Sequence, residues 1–119
     1  MLISPKRGEV WRVAFDPAQG AEIQKTRPAV VISGVGVGRL PLRLVVPLTG
    51  WSETYASAGW MVRINPTSAN GLSKASAADA FQMRGVDLGR FQDKLGILSD
   101  AAVAEIAKAI TVAIQFNFR

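Results

Sequence analysis

The chain's most informative stretch reads Gly20-Ala21-Glu22-Ile23-Gln24-Lys25-Thr26-Arg27-Pro28-Ala29-Val30-Val31-Ile32-Ser33. Its apolar end predicts a strand over Ala29–Ser33. Pro28 restricts the residue before it to extended backbone and cannot donate to a ladder, so Arg27 is predicted to lie where a loop becomes a strand. A guanidinium at that place is well suited to phosphate, because it presents a rigid fork of donors and keeps its charge.

The rest of the chain predicts one small, mainly β domain over residues 1–119. Ser99 is a good N-cap for a helix that runs to about Ile114. Short strands followed by one terminal helix predict an SH3-like, curled antiparallel barrel with the helix packed against it. The further predicted strands are Glu9–Phe15, Leu42–Val46, Trp60–Ile64 and Ala80–Arg84, and the predicted buried face of the helix is Val103, Ile106, Ala107, Ile110 and Ile114.

Composition narrows the possible functions. A net charge of +5 and a pI near 10.3 favour an anionic partner, such as nucleic acid or an acidic polypeptide. The chain has no cysteine and no histidine, which excludes thiol chemistry and removes the commonest general base and metal ligand. No stretch approaches the roughly 20 apolar residues of a membrane span, and the amino terminus lacks a signal-peptide pattern, so a cytoplasmic location is expected.

A chain without histidine or cysteine suits a substrate that brings its own nucleophile. In RNA the ribose 2′-hydroxyl can attack the neighbouring phosphate, so the protein needs only orientation, charge stabilisation and proton handling. Arg27 could hold the non-bridging oxygens, and Thr49, at the end of another predicted strand, offers a short hydroxyl donor. Glu22 shares a loop with Arg27 and is the candidate to orient it or to accept a proton.

Several other side chains are candidates for RNA contact, each with a structural alternative. Gln82 and Arg84 could contact bases or phosphates, or could lie on a solvated strand face. Lys25 could steer RNA or be an ordinary loop lysine. Trp51 could stack on an unpaired base or be partly buried in the core. Ser33 could contact RNA or be an ordinary turn residue just past the second predicted strand.

These residues form an ordered series that resembles the MazF/PemK-type toxin endoribonucleases of bacterial toxin–antitoxin pairs. The series is Arg7-Gly8-Glu9-Val10-Trp11, the stretch Gly20–Ser33, Pro47-Leu48-Thr49, Gly71-Leu72, Gln82-Met83-Arg84, Asp87, Arg90-Phe91 and Gly96. In some members a carboxylate precedes the glutamine and the first loop holds a histidine, whereas Phe81 stands in that place here and the chain has no histidine.

The resemblance implies a homodimer of curled barrels that cleaves single-stranded RNA at short sequences by 2′-hydroxyl attack, with no metal and no cofactor. It implies that Arg27 and Thr49 are catalytic and that Glu22, Lys25, Gln82 and Arg84 line the RNA groove. The implied partner is an antitoxin with an acidic, poorly ordered tail, which agrees with the basic charge of this chain.

Two other functional hypotheses are compatible with the sequence. The same barrel resembles gyrase-poisoning toxins, which act without cleaving RNA and use the C-terminal helix and the last residues. A simple RNA-binding barrel would bind RNA in a salt-dependent way and cleave nothing.

Overall fold

The computed structural model of this protein describes residues 3–117 and contains one antiparallel sheet and one long helix. The strand order is β4-β5-β3-β2-β1-β7, and β6 pairs with β3 beside this path. The elements are β1 (Glu9–Ala14), β2 (Thr26–Val31), β3 (Leu42–Gly50), β4 (Met61–Ile64), β5 (Ser76–Asp79), β6 (Arg84–Asp87), β7 (Phe91–Ile97) and α1 (Asp100–Ala113).

Strand β3 organises the sheet because it has three partners. Its middle pairs with β2, its first four residues pair with β6, and its last three residues pair with β5. β3 therefore leaves β2 and continues beside β5 at its carboxyl end. The predicted mainly β fold with a C-terminal helix is confirmed, and the strands are joined as one curled antiparallel sheet.

Both faces of the central strands are buried. Val10, Val30 and Val46 point to one face, where they form a core with Ile106 of α1. Val13, Val31 and Val45 alternate with them and point to the opposite face, where they form a second core with aromatic side chains such as Phe15. Two-sided burial explains why these strands read as continuous apolar runs.

The helix begins where the sequence predicts, but its buried face is rotated. The Ser99 hydroxyl accepts the Ala102 amide and caps α1. Ile106 is fully buried, and Ala109, which was not predicted, is buried with it. The prediction that Ala107 and Ile114 are buried is wrong, because Ala107 lies on the exposed side and Ile114 lies beyond the last helical residue.

The predicted strand Ala80–Arg84 is also wrong. Ala80–Gln82 form a single 3-10 turn between β5 and β6, because the Asp79 carboxylate accepts the Phe81 amide and turns the chain. The sequence analysis also missed β7, an edge strand whose middle residues Gln92, Asp93 and Lys94 are exposed, so the strand does not alternate. No helix within residues 3–117 is long and apolar enough to cross a membrane.

Candidate RNA-cleavage site

Arg27 and Thr49 lie at facing positions where the β2–β3 ladder stops. The last pair of that ladder is Ala29 with Pro47, and one further step of two residues on each strand leads to Arg27 and Thr49. Strand alternation places both side chains on the face of the Phe15 core. The register therefore sets a guanidinium and a hydroxyl on one face of the sheet, at the point where the two strands part.

One proline explains why the ladder opens at this point. The Ile32 amide donates to the Leu44 carbonyl, so every second pair of β2 and β3 is hydrogen-bonded, and that series runs through Val30 with Val46 to Pro28 with Leu48. Pro28 has no N–H to donate to Leu48. β3 instead pairs through Thr49 with Ala77 of β5, while β2 pairs through Arg27 with Val13 of β1. The missing Pro28 donor thus lies at the step where the two strands part.

The functional atoms of this pair are free of other protein partners. Arg27 is half-buried, and its Nε donates to the Gln24 carbonyl at 3.2 Å, which holds the plane of the guanidinium. Within residues 3–117 neither the terminal nitrogens of Arg27 nor the Thr49 hydroxyl has a hydrogen bond or ion pair. The donors that an oxyanion would use are therefore available.

Lys74 is a cation near the end of β3 that sequence reasoning did not single out. Its Nζ lies over Gly50, 3.5 Å from the place where a Cβ would stand on that glycine. Because Gly50 directly follows Thr49 in β3, strand alternation puts this position on the opposite face from the Thr49 side chain. Lys74 therefore does not join Arg27 beside the Thr49 hydroxyl.

The loop before β2 is rigidly shaped and carries two predicted residues. The Glu22 carboxylate is exposed and accepts the Gln19 amide at 2.8 Å, while the Glu22 amide donates back to the Gln19 carbonyl. Lys25 has a positive φ of 67°, and its amide donates to Asp16 at 3.0 Å. The prediction that Glu22 orients Arg27 does not match these contacts. The Arg27 guanidinium donates to the Gln24 carbonyl and not to the Glu22 carboxylate.

Gln82 and Arg84 join this loop to the sheet. The Gln82 side-chain oxygen accepts the Ile23 amide at 2.7 Å, and its amide nitrogen donates to the Ala21 carbonyl at 2.9 Å. Arg84 donates to the Phe15 carbonyl, and its guanidinium lies 5.8 Å from the centre of the Phe15 ring. Between the loop and this segment is an open groove of about 340 Å³, lined by Glu22, Ile23, Phe81, Gln82, Met83 and Arg84.

Asp79 is a buried carboxylate at the edge of this region. Burial raises its pKa above the ordinary value of 3.8, and its bonds from the backbone amides of Phe81 and Gln82 only partly oppose that shift. Strand alternation places Asp79 on the same face as Thr49, but its oxygens are used to hold the turn that carries Gln82. Sequence analysis missed it because a single aspartate before an apolar pair has no local signature.

Trp51 lies just beyond Thr49 in a preorganised cluster. Its Nε1 donates to Glu53, its ring meets Tyr55 edge to face at 6.0 Å, and the Arg63 guanidinium lies 5.3 Å from the ring centre. The predicted RNA-contact residue Ser33 is elsewhere. Ser33 lies just after the last residue of β2, whereas Arg27 lies near the first, so the two are about 20 Å apart along the strand. The Ser33 hydroxyl accepts a hydrogen bond from the Leu44 amide.

The predicted site residues fall into separate groups. Three of them, Glu22, Gln82 and Arg84, line the groove. Arg27 and Thr49 face each other where the β2–β3 ladder ends, Lys25 lies in the loop before β2, and Trp51 follows Thr49 by two residues. Ser33 lies apart, beyond the other end of β2. No group of three or more acidic side chains in the described part of the chain is arranged to hold a metal ion.

Known proteins resemble this chain over nearly its whole length. The family profile described as PemK-like, MazF-like toxin of type II toxin-antitoxin system matches residues 6–114. Endoribonuclease MazF9 of Mycobacterium tuberculosis is 33% identical over 111 residues, which cover 88% of this chain and 92% of that protein. Endoribonuclease MazF of Staphylococcus saprophyticus is 31% identical over 113 residues, which cover 94% and 92%.

Solved structures have the same fold. MazF from Deinococcus radiodurans superposes with a TM-score of 0.77 at 23% identity, covering 94% of this chain and 97% of that one. A mycobacterial endoribonuclease solved in complex with its cognate antitoxin has a TM-score of 0.75 at 19% identity, covering 98% and 100%.

Proposed function

This chain belongs to the PemK-like, MazF-like toxin family of type II toxin–antitoxin systems, and from that premise we propose that it cleaves single-stranded RNA at the Arg27–Thr49 site. The relatives that establish the family are named endoribonucleases. The observation that carries the proposal is the facing register of Arg27 and Thr49 where β2 and β3 separate, with the terminal nitrogens of Arg27 and the Thr49 hydroxyl bonded to no other group within residues 3–117.

The substrate supplies the nucleophile in this mechanism. The ribose 2′-oxygen attacks the adjacent phosphorus and the bond to the 5′-oxygen of the next nucleotide breaks. The departing oxygen takes a proton from water, so the products are a 2′,3′-cyclic phosphate and a 5′-hydroxyl. The Arg27 guanidinium stabilises the negative charge on the non-bridging oxygens, and the Thr49 hydroxyl donates to one of them.

Proton transfer needs a group that substrate can reach. Glu22 is exposed at the groove and makes one bond, to the Gln19 amide, which leaves carboxylate lone pairs for the 2′-hydroxyl proton. Asp79 is less suited, because it is buried and its oxygens hold the turn before Gln82. We therefore assign the acceptor role to Glu22. No step assigned to these residues passes through a metal ion.

The biological partners follow from the same chemistry. A structural neighbour is bound to its cognate antitoxin, and this chain has the basic charge that an acidic antitoxin segment would neutralise. Occupation of the groove by such a segment would exclude RNA and silence the toxin. We further propose that the active form is a homodimer and that it acts on mRNA in the cytoplasm, where that substrate is translated.

The proposal is tested with purified protein and mixed-sequence RNA in EDTA. The expected products are discrete fragments with cyclic phosphate at the 3′ end, and mapping their ends on a long RNA gives the recognition sequence. Arg27→Ala should abolish the fragments, whereas the matched change Arg39→Ala, in an exposed loop, should leave them. RNA that stays intact at high protein concentration would refute the proposal, and salt-dependent binding without cleavage would identify an RNA-binding barrel instead.

A further inference from the structure

Phe81, which lines the groove, forms an exposed aromatic pair with Trp60. The Phe81 residue is 65% exposed and Trp60 is 39% exposed, although aromatic side chains usually bury most of their surface. Their ring centres are 5.7 Å apart and the rings meet edge to face at 73°. An aromatic surface left open beside a polar groove indicates a contact site for a ligand.

The backbone holds Phe81 in this exposed position. The buried Ala80 precedes it, and the Ala80 amide donates to the Trp60 carbonyl at 3.0 Å. The Asp79 carboxylate accepts the Phe81 amide at 3.1 Å, and the Met83 amide closes the turn on the Ala80 carbonyl. These three hydrogen bonds fix the backbone of the turn, and the turn directs the Phe81 ring toward solvent. The face of the ring is therefore exposed before any ligand binds.

The groove next to the ring adds charge and hydrogen-bond donors. Arg84 and Gln82 line the same groove as Phe81, and the bidentate bond of Gln82 to the loop keeps that wall in place. A ligand that suits both the aromatic ring and the Arg84 guanidinium has a flat ring and a phosphate close together. Unpaired RNA has that combination at every residue, and base stacking on aromatic side chains tolerates any base.

We propose that the Phe81–Trp60 pair is a stacking platform for one unpaired base of the RNA, next to the nucleotide whose phosphate occupies the Arg27–Thr49 site. This inference rests on the proposed function and adds a base-binding site to it. The platform would fix one base of the RNA beside the groove. It would also select single-stranded RNA, because a base in a duplex cannot stack on a protein side chain without losing its base pair.

The test measures stacking separately from cleavage. The probe is a short single-stranded RNA that spans a mapped cut, or a mixed-sequence RNA if no cut exists, with 2′-deoxyribose at the cut and 2-aminopurine placed at each position in turn. Wild-type protein should quench the fluorescence strongly at one position. Phe81→Ala should lose that quenching and bind roughly 5- to 100-fold more weakly, the range expected for one stacked base.

Further variants exclude a general loss of structure. Phe81→Tyr keeps the ring and should keep both quenching and affinity, whereas Phe81→Leu keeps an apolar side chain and should lose the quenching. Phe116→Ala removes another exposed phenylalanine, 56% exposed and beyond α1, and should match wild type. Thermal melting should show that all four variants fold.

The outcomes separate the platform from the proposed function. Quenching that depends on Phe81 in a protein that cuts no RNA would uphold the platform and refute the nuclease. Unchanged affinity and quenching in Phe81→Ala would refute the platform, even if wild type cuts RNA. If Phe81→Ala changed the mass of the particle in light scattering but not its RNA affinity, the ring would be a protein contact and the proposal would be wrong.

Discussion

Arg27 and Thr49 stand opposite each other one step beyond the last β2–β3 pair, Ala29 with Pro47. This register puts a guanidinium and a hydroxyl on the same face of the sheet, and the missing amide hydrogen of Pro28 lies at the step where the two strands part. Neither side chain is near the other in sequence, and the site exists because β2 and β3 are neighbours.

The first prediction concerns the coupling of these two residues. Arg27→Ala and Thr49→Val should each lower kcat/KM for RNA by about 100- to 1,000-fold, the usual effect of removing one donor to a developing oxyanion. Because both act on the same phosphate, the double variant should lose much less than the product of the two effects. Fully multiplicative losses in single-turnover cleavage would show that they act independently.

Glu22 should act as the proton acceptor. Glu22→Gln preserves the bond from the Gln19 amide, since the side-chain amide oxygen still accepts it, but it cannot take a proton. We therefore expect kcat for RNA cleavage to fall by roughly 100-fold in single-turnover measurements. Glu105→Gln, on the exposed side of α1, makes the same charge change away from the groove and should leave kcat intact. An unchanged kcat in Glu22→Gln would contradict this role.

Gln82 should act by holding the loop before β2. Gln82→Ala removes both side-chain bonds to the backbone of Ala21 and Ile23. We expect faster hydrogen exchange at residues 21–25 and a several-fold higher KM, with a smaller change in kcat, because the groove loses its shape before RNA binds. Gln92→Ala, on the exposed edge strand β7, is the matched control. A change in kcat alone would contradict this role.

The raised pKa of Asp79 predicts a pH-dependent stability. A carboxyl whose pKa is higher in the folded than in the unfolded chain makes the folded state bind more protons, so stability falls as pH rises from 3.8 through the folded pKa. Asp79→Asn should remove that dependence and raise Tm slightly at pH 7, since the amide oxygen still accepts the Phe81 amide. Melting curves of both proteins from pH 3 to pH 8 measure this pH dependence. A lower Tm for Asp79→Asn than for wild type at pH 7 would contradict the prediction.

Gly96 should tolerate no side chain. A Cβ on Gly96 would stand 2.3 Å from the Ala69 carbonyl oxygen, because the loop through Asn70 crosses β7 at that residue. Gly96→Ala should therefore lower the free energy of unfolding by roughly 3 kcal/mol. Gly85→Ala is the matched strand control, since its Cβ would meet only the Leu44 side chain at an ordinary 3.7 Å. Urea denaturation compares the two variants.

Local patterns in the sequence predicted most elements but not their ends or exceptions. Alternation identified β1 and β4, apolar runs identified β2 and β3, and the Ser99 cap identified the start of α1. The pattern failed over Ala80–Arg84, where a side-chain cap on the backbone overrides the apparent period. It also failed over β7, whose exposed middle has no alternation and whose strand conformation comes from pairing with β1.

The sequence by itself determined the fold class, the family and the basic charge, and it singled out Arg27 and Thr49 as candidates, because these depend on residue types and their order along the chain. Only the tertiary structure decided which of the candidates meet. Strand pairing set Arg27 opposite Thr49, brought Lys74 over Gly50, tied Gln82 to Ile23 and left Ser33 at the far end of β2. It also left the Phe81 ring facing the groove, because the hydrogen bonds of one turn hold it outside the core.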